Sequence, residues 1–333
     1  MRPLEYVRPD DPADAVRAVA GDPRAAFLGG GTNLVDHLKL GIASPERLVD
    51  VRRLGLDTVD EYGGPDGGGL RIGANVRNSD LAAHPSVRTR LPVVARALLA
   101  GASGQIRHQA TTGGNLLQRT RCLYFQDVST PCNKREPGSG CSALEGYDRY
   151  NAILGASEAC VATHPSDLAV ALAAVDARVV VLGGEGERRI AFADLHRLPG
   201  HHPERDTTLE HGDLITAVEV PWSDVARCST YTKVRDRASY AFALVSVAAA
   251  LRLEDGVVRD VRIAWGGVAH KPWRAERAEE RLTGAALTEA AVDEAVAEEL
   301  EAARTGEGTA YKPVMLRRTT AWTLLRLAEE AVR

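Results

Sequence analysis

Ala25-Ala26-Phe27-Leu28-Gly29-Gly30-Gly31-Thr32-Asn33-Leu34-Val35-Asp36-His37-Leu38-Lys39-Leu40-Gly41 reads as a short apolar strand, three glycines, and a helix closed by a glycine. A strand, a glycine turn and a helix in that order let backbone N–H groups approach a phosphate, and the helix dipole favours the anion. The Rossmann pattern Gly-x-Gly-x-x-Gly is not met, because Leu34 stands where its last glycine belongs. No Gly-Lys-Ser/Thr follows to make a Walker loop. Taken alone, the plainer reading is a tight turn at a strand end.

A second glycine site, Ala110-Thr111-Thr112-Gly113-Gly114-Asn115, changes that balance. Two such turns can clamp a pyrophosphate from both sides, with Thr111 and Asn115 as polar contacts. Ser166-Asp167 can then reach a sugar hydroxyl, although Asp167 reads equally well as a helix N-cap. Lys233, within Tyr231-Thr232-Lys233-Val234-Arg235, can approach a flavin or a phosphate, the plain alternative being an exposed strand lysine.

Outward from these turns, Asp10-Asp11-Pro12 opens a capped helix, and Leu48–Val51 and Leu70–Gly73 read as strands flanking a surface turn over 63–69. Pro92–Leu99 is a buried helix. From Gly101 to about residue 160 no periodicity appears, a length that in a compact domain is usually functional or disordered. An amphipathic helix over Ser166–Val175, a strand over Arg178–Leu182 and another over Leu214–Val220 follow. Beyond about residue 225, long strands (Ser229–Val234, Ala241–Leu253, Val257–Trp265) precede three closing helices near 272–283, 288–303 and 313–331, a separate α+β domain.

Composition limits the function classes. At 333 residues, two or three domains with real cores are expected. A net charge of -4 offers no electrostatic case for nucleic acid, and the longest apolar run, Ala241–Leu251, is too short to cross a bilayer. The N-terminal residues lack an apolar h-region, so no signal peptide is expected.

Five cysteines without an export signal argue against a disulfide framework. Four of them are spaced Cys122-x9-Cys132-x8-Cys141-x18-Cys160. The absence of a Cys-x-x-Cys knuckle weakens structural zinc, and four thiolates on an extended loop fit a [4Fe-4S] cluster. Free buried thiols are the bland alternative, but Cys132 and Cys141 lie among Asn133, Lys134, Arg135, Glu136, Pro137 and Gly138, no place for an inert core residue. Cys228 reads as a small buried hydrophobe in a strand. His201-His202 reads as a solvated loop pair, and no nucleophile elbow or paired-carboxylate constellation stands out.

In order along the chain, Gly29–Leu34, Gly104-Gln105-Ile106-Arg107 with Ala110–Asn115, Ser166-Asp167-Leu168, Tyr231-Thr232-Lys233 and Trp265-Gly266-Gly267-Val268-Ala269 resemble the FAD-binding medium subunit of the molybdenum hydroxylases, the xanthine dehydrogenase and aldehyde oxidoreductase group. The likeness covers essentially the whole chain. Most members pass from Gly-Gly-Asn to Ser-Asp through a short loop, whereas this chain inserts roughly forty residues there. The insertion resembles the [4Fe-4S] loop of the periplasmic aromatic-aldehyde oxidoreductase medium subunit and, more distantly, that of 4-hydroxybenzoyl-CoA reductase.

The resemblance implies an α+β chain: a two-subdomain FAD-binding fold of the PCMH/CO dehydrogenase flavoprotein type, plus a C-terminal α+β domain with a three-stranded antiparallel sheet and helices. The implied divisions are 1–60, 61–224 with the insertion at about 119–162, and 225–333. FAD would lie between the N-terminal subdomains, with Leu28, Gly29, Gly30, Gly31, Thr32, Asn33 and Leu34 on one side of the pyrophosphate and Thr111, Gly113, Gly114 and Asn115 on the other. Ser166 and Asp167 would contact a cofactor sugar, and Ile215 and Lys233 would lie along the flavin. Cys122, Cys132, Cys141 and Cys160 would carry the [4Fe-4S] cluster.

The same resemblance implies no catalytic residue for substrate oxidation on this chain. It implies an electron-transfer subunit of a heterotrimer, working with a large molybdopterin subunit, a small subunit bearing two [2Fe-2S] clusters, and an external acceptor. Aldehyde is the expected substrate class; xanthine dehydrogenase or 4-hydroxybenzoyl-CoA reductase type medium subunits, or a stand-alone FAD-dependent oxidase, are the alternatives. The cytoplasm is the expected compartment, or the periplasm by co-export with a signal-bearing partner. No nucleic-acid partner and no membrane insertion are expected.

Overall fold

Asp11 ends an extended stretch and caps the first helix, α1 (Pro12–Ala20): its carboxylate accepts the Asp14 N–H at 2.8 Å, and Pro12 occupies a position where no donor is needed. The computed structural model to which this helix belongs describes residues 3–64 and 67–331. Strands β1 (Glu5–Val7), β2 (Ala25–Leu28) and β3 (Arg47–Asp50) pair in parallel in the order β1-β3-β2. Val16 and Val19 of α1 pack with Ala25, Val49 and Val51 beneath this sheet, each buried valine contributing about 2 kcal/mol. Helix α2 (Leu34–Leu40) stops at Gly41, whose φ of 73° is a left-handed value that glycine adopts without strain.

The second sheet is antiparallel, in the order β4-β5-β8-β6-β7, from β4 (Val59–Tyr62), β5 (Gly69–Gly73), β6 (Arg178–Gly183), β7 (Gly186–Ala191) and β8 (Leu214–Pro221). The turn expected over 63–69 includes residues 65–66, which lie outside the described residues. Four helices follow β5: α3 (Asn78–Ala83), α4 (Pro85–Arg90), α5 (Pro92–Ala100) and α6 (Gly104–Gln109). The segment from Gly101 to residue 160 is therefore not featureless, since α6, α7 (Thr112–Leu116) and α8 (Leu123–Gln126) lie in it. Helix α9 (Asp167–Ala174) differs from the expected amphipathic pattern: Leu168 to Leu172 and Ala174 are all buried, because α5 covers one side and the C-terminal sheet another.

After the short helices α10 (Phe192–Leu195) and α11 (Asp224–Arg227), the C-terminal part forms an antiparallel sheet, β12-β11-β10-β9. Its strands are β9 (Ser229–Val234), β10 (Val245–Glu254), β11 (Val257–Gly266) and the two-residue β12 (Trp273–Arg274), an edge strand beyond the three expected. β10 begins four residues later than the sequence implied, and Ala241–Ala243 instead line a cavity. Cys228 precedes β9 as the end of α11 and is half-buried rather than a strand core residue. Helices α12 (Glu276–Leu282), α13 (Glu289–Glu299) and α14 (Lys312–Ala331) close the second core with Trp265, Val292 and Leu324.

The insertion is fastened to this C-terminal core. Ile153 and Leu154 are buried in it, both donating their N–H to Val268 O, at 2.9 and 3.0 Å. Lys312, completely buried at the start of α14, donates from Nζ to Asn151 O and Gly267 O, each at 2.6 Å. Burial pulls its ammonium down to about 7. A base whose folded pKa is depressed leaves the unfolded chain holding the extra proton above that value, so this group makes the fold more stable as pH rises from about 7 towards 10. Lys312→Met is expected to destabilise the chain by about 2–4 kcal/mol, by orphaning two buried carbonyls, and to flatten that rise. Urea denaturation of both proteins from pH 7 to 10 measures both effects.

Candidate functional site

Two cavities meet at the first glycine turn. One, of about 250 Å³, is lined by Gly29–Leu34, His37, Thr111, Gly113, Gly114, Arg119 and Ile215. The other, of about 290 Å³, is lined by Thr32, Asn33, Asp36, Arg107, Gly114, Asn115, Asp167, Lys233 and Phe242, among others. Thr32, Asn33 and Gly114 border both, so the two form one elongated space. Leu28 belongs to β2 and does not line it.

The first turn leaves its main-chain donors open. Among the described residues, the backbone N–H groups of Gly29, Gly30, Gly31, Thr32 and Asn33 have no hydrogen-bond partner in the protein. Unsatisfied main-chain donors facing a cavity are what a phosphate oxygen satisfies. Gly31 has φ 76°, and a Cβ on Gly30 would lie 2.2 Å from Gln109 O, so the first turn rests directly on the residues leading into the second.

The second turn contributes differently from what its glycines implied. It is the first turn of α7, with Thr111 Oγ1 accepting the Gly114 N–H at 3.3 Å, while the N–H groups of Gly113 and Asn115 go to Ala74 O and Thr111 O at 2.8 Å. Its donors are spent internally, and what faces the space is side chains: Thr111 in the first cavity and Asn115 in the second. Asn115 Oδ1 accepts from Ser166 Oγ at 2.5 Å, which leaves its amide free to donate.

Ser166, not Asp167, is the N-cap of α9, accepting the Ala169 N–H at 3.0 Å. It does not line the elongated space, and its place is to hold Asn115 and the start of α9. Asp167 accepts from Tyr231 OH at 2.6 Å on Oδ1 and from Lys233 Nζ at 2.8 Å on Oδ2. Lys233 is therefore not an exposed strand lysine: its side chain is 3% exposed and ion-paired at the cavity wall. Burial, and then the Asp167 carboxylate, push the Tyr231 hydroxyl well above its ordinary value. Lys233→Met would strand the Asp167 carboxylate, and a loss of about 3–5 kcal/mol is expected, partly restored by adding Asp167→Asn. Denaturant titration of the full chain reads it.

His37 reaches towards Asn33 Nδ2 at 3.4 Å and lies edge-on to Phe125, 5.7 Å between ring centroids. Burial and the nearby Arg119 and Arg121 hold it down at about 4, so it is neutral at physiological pH.

The insertion brings its four cysteines into one neighbourhood. Cys132 and Cys141 face each other across an antiparallel bridge, and Asn133 shapes the loop between them, its Oδ1 accepting the Gly138 and Gly140 N–H groups at 3.1 and 2.8 Å. Cys160 and Cys141 are close neighbours: Cys160 holds the Cys141 thiol below its ordinary value, while Cys141 and burial push that of Cys160 up. Four cysteines in one neighbourhood are the donor set that a [4Fe-4S] cluster takes. Among the described residues, however, no group of three His, Cys, Asp or Glu side chains is arranged to hold a metal ion. Cys228 stands outside this group, beside α11.

Local pattern did not single out Arg119, Lys134 or Asp206, which join the glycine turn to the cysteine loop. Arg119 donates its N–H to Asn33 Oδ1 at 3.0 Å and its Nε to Asp206 at 2.7 Å. No short-range signal marks Asp206, whose partners lie 87 and 72 residues earlier.

This architecture is that of a known class of flavoprotein. Residues 2–223 match the FAD binding domain in molybdopterin dehydrogenase, and residues 229–330 match the CO dehydrogenase flavoprotein C-terminal domain. The chain belongs to the FAD-binding medium subunits of the molybdenum hydroxylase family. It is 51% identical over 332 residues to the aldehyde oxidoreductase FAD-binding subunit PaoB of Escherichia coli, covering 99% of this chain and 100% of that one. It is 27% identical to the glyceraldehyde dehydrogenase medium chain of Sulfolobus acidocaldarius, over 86% of this chain and 83% of that one. The reconstituted CO dehydrogenase from Oligotropha carboxidovorans superposes with a TM-score of 0.75 at 26% identity, covering 98% of this chain and 99% of that one.

Both the fold class and the family that the sequence motifs implied are thereby established. No described helix is long and apolar enough to cross a membrane.

Proposed function

We propose that this chain is the electron-transfer subunit of a heterotrimeric aldehyde oxidoreductase, holding one FAD along the space from Ile215 to Lys233. Bound FAD supplies redox chemistry, taking electrons from iron–sulfur centres of a small subunit and passing them to an external acceptor. In this reading the N–H groups of Gly29–Asn33 bind the pyrophosphate, Thr111 and Asn115 face it from the other side, and Asp167 accepts from a cofactor hydroxyl while fixed by Tyr231 and Lys233. Ile215 bounds the space at its far end. Ser166 acts by orienting Asn115.

One observation carries the electron-transfer reading over a stand-alone oxidase: the acids and bases at the cavity are already engaged. Asp167 is paired with Lys233 and Asp36 with Arg121, while His37, at about 4, is a weak base. An oxidase acting on its own substrate needs a free proton acceptor beside the flavin. Substrate oxidation is therefore assigned to a separate molybdopterin subunit.

The cysteine loop is read as carrying a [4Fe-4S] cluster on Cys122, Cys132, Cys141 and Cys160, supported by the four cysteines of the insertion and the bridge that brings Cys132 and Cys141 together. Such a cluster would supply a one-electron site beside the flavin. For location the reading keeps the cytoplasm, with the periplasm reached alongside a signal-bearing partner as the alternative that cell fractionation distinguishes.

Flavin, iron and molybdenum measured together in the complex purified through this chain test the assignment. One flavin per chain, molybdenum and iron in excess of the small subunit's clusters are expected. A flavin-free or molybdenum-free preparation would refute it.

A further inference from the structure

A third cavity, of about 460 Å³, opens beside the elongated space and is wider than either part of it. Arg121, Asp167, Arg237 and Phe242 border both, so the two share a wall near Lys233. Leu123, Tyr150 and Phe242 line the third cavity while remaining 53%, 41% and 47% exposed. Large apolar side chains left in water around a concave opening mark a place where something binds. The glycine turns and the space from Ile215 to Lys233 hold FAD without using it.

The charges in its wall narrow the ligand. Both carboxylates are engaged: Asp167 by Lys233 and Asp236 by Arg149, each at 2.8 Å, with Tyr150 OH donating to the second Asp236 oxygen at 2.9 Å. Arg121 lies 3.6 Å from Asp36, which lines the FAD space instead, and 5.2 Å over the Phe242 ring. Arg237 differs. Its Nε and Nη2 donate to Tyr240 O, and among the described residues it has no carboxylate partner. One positive charge is therefore left beside two aromatic rings, those of Phe242 and Tyr150. Aromatic faces take a flat ring, and a single guanidinium takes one anionic or carbonyl oxygen. A dinucleotide, with two phosphates to neutralise, would need a second free cation.

We infer that this cavity is the site of the external acceptor, and that the acceptor is a quinone, its ring against Phe242 and Tyr150 and an oxygen on Arg237. The inference rests on the FAD reading given above. A quinone bound there takes up two electrons and two protons and leaves as the hydroquinone. These are the two electrons and two protons that reduced FAD gives up on returning to its oxidised form.

The test is calorimetric titration of the oxidised heterotrimer with 9,10-anthraquinone-2-sulfonate, which carries one negative charge and has no quinone carbon open to thiol addition. Without aldehyde there is no turnover, so binding alone is read. One site per heterotrimer is expected, with a change in flavin absorbance at saturation, and NAD+ should not displace the probe. Arg237→Gln is expected to weaken binding about tenfold. Tyr150→Ala should weaken it about fivefold, whereas Tyr150→Phe, which keeps the ring and loses only the bond to Asp236, stays near wild type. Both side chains are exposed, and flavin measured on each variant shows whether the FAD site is intact. Should a variant lose flavin, the wild-type competition decides: displacement of the probe by NAD+ refutes the quinone assignment. A flavin-replete wild-type complex that does not bind the probe, or equal binding by wild type, Arg237→Gln and Tyr150→Ala, would overturn the inference and leave the FAD reading standing. A flavin-free wild-type complex would overturn both.

Discussion

Gly30→Ala is expected to strip the protein of flavin. The added methyl would sit 2.2 Å from Gln109 O, 3.0 Å from its carbonyl carbon and 3.1 Å from Ala110 Cα. All three are backbone atoms in the lead-in to Thr111, so no side chain can swing aside and the two turns must separate. Separation spoils the convergence of the Gly29–Asn33 donors, and an unmet phosphate contact costs roughly 1.5–3 kcal/mol for each charged hydrogen bond lost. Loss of two such bonds weakens FAD binding by at least about a hundredfold. Flavin absorbance per purified chain should fall to near zero, with the far-ultraviolet dichroism unchanged. Gly104→Ala is the control, since nothing lies within 4 Å of its new methyl, and it should retain full flavin. A flavin-replete Gly30→Ala protein would mean that this turn does not hold the cofactor.

Cys160→Ser should remove iron without removing flavin. Cys160 is 4% exposed and neighbours Cys141, and the loop around both is held by hydrogen bonds rather than by a core of its own. A serine hydroxyl is a poor substitute for a thiolate ligand of iron, so if the proposed heterotrimer carries two [2Fe-2S] clusters on its small subunit, iron in the purified complex should drop by about half. Inert buried thiols predict unchanged iron and only a modest loss of stability, about 1 kcal/mol. Metal analysis of matched preparations separates the two outcomes.

Much of the fold was legible because the decisive segments carry strong local signals. Asp11-Pro12 declared α1, Gly41 ended α2, and the apolar runs of β10 and β11 could be little else. Short or exposed elements were not legible. β7, Gly-Glu-Arg-Arg-Ile-Ala, is mostly exposed and pairs along one side only, so no apolar alternation marks it. Helices α3 and α4 are six residues each, too short for a period to emerge.

For the site, the glycine turn and the cysteines were readable one by one, but their partners were not. The burial of Lys233 depends on Asp167, 66 residues away, and that of Lys134 on Asp206. The two glycine sites also looked equivalent in sequence, and only the hydrogen bonds distinguish them. Those of α7 are consumed by Ala74, Thr111 and its own turn, while those of Gly29–Asn33 are left open.

The central claim is that electrons reach this chain from a partner and are not taken from substrate by it. Anaerobic addition of an aldehyde to the assembled complex, and separately to the isolated chain loaded with FAD, tests it directly through the flavin absorbance. The flavin should bleach in the complex and stay oxidised in the isolated chain. Bleaching of the isolated, FAD-loaded chain by aldehyde would contradict the claim and make this protein an oxidase in its own right.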